Sequence, residues 1–234
     1  PHLIAIDFGI NDAIRGFSLD SYRKSLKRCI DICKENGTEV ILLAPFFVEY
    51  NFYVDNHGGV ARVVPTRQDF SLDLEALGDA ITAKTKVVLI NSPNNPTGQV
   101  YPEEDLLALG ALLEKKSKDY KRTVYLVSDE PYRKIVYDGV KVPSIFTSYK
   151  DSIIGTSYSK DVSIPGERIG FVAVNPTATY KADLLGAMTV ANRILGYVNA
   201  PALMQRVVAR LQGMSVDPNI YKRRRDIFVK GLRD

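Results

Sequence analysis

The sequence has 234 residues, 45% hydrophobic and 25% charged, with a formal net charge of +4. This is an ordinary globular composition, sized for one large domain or two small ones. No apolar run approaches the ~20 residues of a membrane span, and so mild a charge gives no reason to expect nucleic acid as a partner.

The chain opens on an apolar run, residues 1–8, that reads as a buried strand and leads into Gly9-Ile10-Asn11-Asp12. A helix follows, capped by Ser18 or Asp20, with apolar positions at Tyr22, Leu26, Cys29, Ile30 and Cys33. Asn36-Gly37 is its C-cap signal. Cys29 and Cys33 are the two cysteines and lie one helical turn apart. That spacing would suit a metal or redox pair; it also suits two core-facing residues of an amphipathic helix, the reading taken here, so no metal site is expected.

A strand over 39–45 comes next, then a helix over 48–56, a strand over 59–64 and a short helix over 73–81. His57 falls in Asn56-His57-Gly58-Gly59, a turn. Residues 86–90 form a continuous apolar strand of the buried parallel kind. Pro102 is expected at the first position of a helix running to about 118. Strands follow over 123–127, 152–156 and 169–174, then helices over 179–196, over 201–213 and from 218 onward. The basic run Lys222-Arg223-Arg224-Arg225 reads as the exposed face of that last helix, without the aromatic interleaving of a nucleic-acid site. Alternation of this kind predicts an α/β fold: a doubly wound, mostly parallel sheet with helices on both faces, in three αβα layers. Ligands of such sheets bind beyond the C-terminal ends of the strands.

Four motifs stand at or near those ends. They are Asn94-Asn95-Pro96-Thr97-Gly98, Ser128-Asp129-Glu130-Pro131-Tyr132, Ser157-Tyr158-Ser159-Lys160 and Gly166-Glu167-Arg168-Ile169-Gly170. Each alone has a plain structural reading: a turn, a helix cap, a solvated lysine, a surface ion-pair partner. Together they supply what pyridoxal phosphate needs. Asp129 offers a carboxylate for a protonated pyridine nitrogen. Lys160 offers an amine for a Schiff base. Asn95 and Tyr132 offer donors to the ring's phenolic oxygen. Ser157, Ser159 and Arg168 offer hydroxyls and a cation for the phosphate. Phe47, two residues past Pro45, offers an aromatic face for the ring.

On these motifs, residues 37–234 resemble the large domain of a class I/II (fold-type I) aminotransferase. The separations of Asp129 from Tyr132 and of Lys160 from Arg168 agree with that family. The resemblance implies pyridoxal 5′-phosphate as cofactor, with Asn95, Asp129, Tyr132, Lys160 and Arg168 in the roles just given. It implies amino-group transfer between an amino acid and a 2-oxo acid, with Lys160 moving the α-proton, and an antiparallel strand over 169–174. It also implies a homodimer, an N-terminal arm, and a C-terminal small domain whose arginine grips the substrate carboxylate; the arm and that domain are not among these residues.

Residues 1–45 resemble a different family, the SGNH (GDSL-type) hydrolases, through Gly9-Ile10-Asn11-Asp12 and the layout that follows. That likeness implies an oxyanion-hole role for Asn11. The family's Gly-Asp-Ser and Asp-x-x-His blocks do not occur, and the two histidines, His2 and His57, complete no Ser-His-Asp set. The expected organisation is therefore a single α/β domain over 1–234, with a flavodoxin-like segment at 1–45 joined to an aminotransferase large-domain segment at 46–234. Three functional readings stand: an aminotransferase, a non-catalytic chimera that binds the cofactor or only phosphate, and an SGNH-type esterase. With no visible signal peptide, cytoplasmic residence is expected.

Overall fold

The computed structural model describes residues 37–233. The expectations for residues 1–36, including the first strand, the Cys29–Cys33 helix and Asn11, lie outside the described residues. Six strands form one sheet: β1 (Glu39–Ala44), β2 (Val60–Pro65), β3 (Thr85–Asn91), β4 (Tyr125–Asp129), β5 (Ser152–Ser157) and β6 (Gly170–Val174). Their order is β2-β1-β3-β4-β5-β6. The first five are parallel, and β6 runs antiparallel to β5, pairing Ser157 with Gly170 and Ile153 with Val174. From β1 the chain moves outward to β2, then crosses back to β3 and on through β4 and β5. This reversal makes the sheet doubly wound and puts a switch point between β1 and β3.

The helices are α1 (Glu49–Asn56), α2 (Leu74–Ala80), α3 (Glu103–Asp119), α4 (Ile145–Ser148), α5 (Lys181–Ile194), α6 (Ala202–Arg210) and α7 (Pro218–Arg233). Alternate strand residues point into one core: Ile41 and Leu43 of β1, Val88 and Ile90 of β3, Leu126 of β4, with Val124 just before it. Leu77 of α2, Leu106, Leu109 and Leu113 of α3, and Ile145 of α4 close over them. The four-residue repeat Leu106–Gly110 and Leu109–Leu113 gives α3 the apolar stripe that a sheet-facing helix needs. At Gly110 the stripe has no side chain, because α4 crosses there; a Cβ would sit 2.2 Å from the Ser148 carbonyl oxygen.

Three details differ from the sequence reading. Strand β4 lies two residues later than expected and ends on Asp129, because Asp129 pairs with Asn91 and Gly155 in the ladder. Pro102 is the N-cap of α3 with extended backbone, rather than its first helical residue. Helix α4 and a 3₁₀ turn over Pro165–Glu167 had no expectation; at three and four residues they are too short to show a period. Among the described residues, no helix is long and apolar enough to cross a membrane.

Candidate active site

The strands end on polar residues at one edge of the sheet: Asn91 on β3, Asp129 on β4, Ser157 on β5. Parallel pairing aligns them, so the loops that follow rise side by side.

Asp129 is the centre. It is half-buried, and its Oδ2 accepts a 2.6 Å hydrogen bond from the Tyr50 hydroxyl. Burial raises the Asp129 pKa, while the Tyr50 bond opposes that rise. No hydrogen bond from the described residues reaches Oδ1, so one oxygen is braced and the other is open to a ligand. Tyr50 is 6% exposed, and burial followed by the Asp129 charge pushes its pKa far above the ordinary phenol value. Its hydroxyl therefore stays protonated and remains a donor. Phe47, in the loop before α1, packs edge-on against Tyr50 with ring centres 5.6 Å apart.

Asn95 and Tyr132 meet across the cleft, with Asn95 Nδ2 donating to Tyr132 Oη at 3.5 Å. Tyr132 has its pKa raised, first by burial and then by Asp129. Lys160 Nζ lies 5.7 Å from the centre of the Tyr132 ring, and its side chain is exposed at the mouth. Ser157 closes β5 and Ser159 follows in the turn, both half-buried. Arg168 has left-handed backbone (φ 49°), and its guanidinium donates to the Pro165 carbonyl at 3.1 Å. The second glycine of its motif, Gly170, lies where a Cβ would meet the Thr156 carbonyl oxygen at 2.3 Å. Asn95, Asp129, Tyr132 and Lys160 thus gather in one cleft, with Phe47 packed edge-on against Tyr50. The Arg168 guanidinium is turned onto its own loop.

Two residues in this cleft were missed from the sequence. Tyr50 looks like one of several aromatics of a short helix, and nothing local marks it. Asn91 is the buried amide ending β3; a polar residue closing a continuous apolar strand was the available signal. Its Nδ2 donates to the Asp129 carbonyl at 2.7 Å, and its Oδ1 accepts from the Asn95 N–H at 2.6 Å.

The arrangement fits pyridoxal phosphate at three points. A half-buried carboxylate with one free oxygen suits a protonated ring nitrogen, two neutral donors 3.5 Å apart suit a ring oxygen, and a primary amine stands beside them.

Comparison with known proteins bears on the same residues. The family model described as aminotransferase class I and II matches residues 19–234. A probable aspartate/prephenate aminotransferase of Thermus aquaticus is 36% identical over 201 residues, covering 84% of this chain and 50% of that protein. A probable aspartate aminotransferase of Methanocaldococcus jannaschii is 32% identical over 205 residues, covering 86% of this chain and 52% of that protein. A crystal structure of an amino transferase from Eubacterium rectale superposes with a TM-score of 0.82 at 44% identity, covering 87% of this chain and 53% of the other. The chain spans about half the length of the relatives it matches. The family match starts at residue 19, so residues 19–45, the larger part of the segment expected to resemble the SGNH hydrolases, fall inside it. The comparisons support neither that segment nor a joined-fragment origin.

Proposed function

The chain belongs to the class I and II aminotransferases, and on that footing we propose that its cleft holds pyridoxal 5′-phosphate and serves amino-group transfer between an amino acid and a 2-oxo acid. The observation that carries this reading is Asp129 at the end of β4, half-buried, braced on one oxygen by Tyr50 and open on the other.

When bound, the cofactor supplies an aldehyde that takes up amines and a protonated ring that draws electron density from the substrate's α-carbon. The chain's residues do the rest. The free oxygen of Asp129 holds the proton on the ring nitrogen. Tyr50 keeps that carboxylate oriented, since its hydroxyl occupies the other oxygen. Asn95 Nδ2 and Tyr132 Oη donate to the phenolic oxygen. The Lys160 amine, at the mouth of the cleft, takes the proton from the substrate α-carbon and returns it one step later. Ser157, Ser159 and Arg168 bind the phosphate, and for this the Arg168 guanidinium exchanges the Pro165 carbonyl for the anion, a stronger partner. Phe47 flanks the ring. The relatives' names make L-aspartate the first amino donor to try.

The test is a half-reaction. Aspartate added to the cofactor-loaded chain is expected to convert the aldehyde-form absorbance to that of the amine form, and 2-oxoglutarate to reverse it. Lys160→Ala should suppress both. A loaded chain whose spectrum ignores amino and oxo acids of every side-chain class would contradict transamination.

A further inference from the structure

We propose that Asn91 is a positioning residue that fixes the distance between the loops carrying Asn95 and Asp129, and so sets the width of the cleft. The inference rests on the reading that those two residues hold the cofactor.

The β3–β4 ladder ends at the Asn91–Asp129 pair. Beyond it the two loops share no ladder bonds. Asn91 extends the connection one step further with its side chain. Its Nδ2 donates to the Asp129 carbonyl on one strand, and its Oδ1 takes the Asn95 N–H on the other loop. The residue is 4% exposed. Donor and acceptor are rigidly coupled in one planar amide, and its orientation is forced, because a carbonyl demands the NH₂ and an N–H demands the oxygen.

The turn over 94–98 does not need Asn91 for its shape. Asn94 Oδ1 accepts from the Thr97 N–H at 3.0 Å and from its hydroxyl at 2.9 Å. The Gly98 N–H closes the turn on the Asn94 carbonyl at 2.9 Å. Asn94 Nδ2 adds a 3.3 Å bond to the Pro45 carbonyl. The turn is thus a preformed unit, and Asn91 decides where that unit stands relative to Asp129. Asn95 Nδ2 and the Asp129 carboxylate belong to opposite sides of the cleft, so losing this one amide loosens both at once. Ionised Asp can serve only the Asn95 side of the bridge, an alkyl side chain serves neither, and Gln is one methylene too long.

Asn91→Ala and Asn91→Asp are compared with the unaltered chain by titration with pyridoxal 5′-phosphate, and by amide hydrogen exchange without it. Two lost hydrogen bonds predict cofactor binding about tenfold weaker or more in N91A. The Asn95 amide should exchange faster while amides in the centre of β3 keep their protection. In N91D a protonated carboxyl serves both partners and an ionised one only Asn95. Its affinity relative to the unaltered chain should therefore fall as pH rises, a dependence that simple loss of packing would not give. Affinities of both variants within twofold of the unaltered chain at every pH, or an Asn95 amide equally protected in N91A, would overturn the proposal. If the unaltered chain bound no cofactor, the functional reading would fail instead, and the exchange of the Asn95 amide would still decide the bridge.

Discussion

At the residue scale the site turns on opposing demands at Asp129. Burial favours the protonated acid, while a ring-nitrogen partner must be the anion. The raised pKa of Asp129 comes from burial, and the Tyr50 hydroxyl opposes it. Replacing Tyr50 by Phe removes a hydrogen bond to a charged group, a loss of about 1.5–3 kcal/mol. The Asp129 pKa then rises further. On acidification, Y50F should shed the cofactor at higher pH than the unaltered chain, as read from the cofactor absorbance. Stability has its own pH signature. With the folded pKa above the unfolded one, the unfolded chain loses the proton first as pH rises. Ionisation of Asp129 therefore costs the cofactor-free fold stability, starting above the ordinary carboxylate range and in full above the raised pKa. Asp129→Asn should raise the melting temperature of the cofactor-free chain at neutral pH. The gap should close as pH drops below the ordinary carboxylate range, and the same variant should bind the cofactor more weakly. The sequence made Asn95, Asp129, Tyr132 and Lys160 legible because each sits in a motif punctuated by Pro, Gly or a strand end. Tyr50 was not legible because its partner is 79 residues away, and a 2.6 Å contact at that separation leaves no local pattern.

At the scale of elements, packing distances separate glycines that look alike in sequence. Gly110 in α3 touches the Ser148 carbonyl oxygen of α4, whereas the nearest atom to a Cβ on Gly78 in α2 is Leu112 Cδ1 at 3.6 Å. G110A must push α3 off α4 and should destabilise by about 1–3 kcal/mol. G78A enters ordinary van der Waals contact and gains helix propensity, so it should stabilise by up to about 1 kcal/mol. Urea unfolding of the two variants checks the pair. Helix and strand order could be read from periodicity because the apolar stripes are regular over several turns. The end of β4 could not, since Ser128 and Asp129 look like loop residues and are strand only through their neighbours. Strand register is a tertiary property, and it is register that puts Asp129 opposite Asn91.

On the scale of the whole molecule, the last helix is the odd element. Its polar side docks: Arg225 and Lys222 pair with Asp138, and the Arg225 guanidinium sits 4.7 Å from the Tyr137 ring centre. Its apolar residues Ile227, Phe228 and Leu232 are 72%, 74% and 81% exposed, the reverse of an ordinary surface helix. A continuous apolar stripe of this kind drives association. The chain is expected to self-associate with concentration in sedimentation velocity, and Phe228→Glu with Leu232→Glu should shift it toward monomer. Such a face is not legible from the sequence, where the same stripe predicts a buried side. The cleft itself can be tested directly. The purified chain is mixed with pyridoxal 5′-phosphate, reduced with borohydride and digested, and the modified peptide is mapped. Label confined to Lys160 is the predicted result, since its amine stands beside Tyr132 in the Asn95–Tyr132–Asp129 cleft. Label spread over surface lysines, with Lys160 no more reactive than the rest, would contradict the assignment of this cleft as the cofactor site.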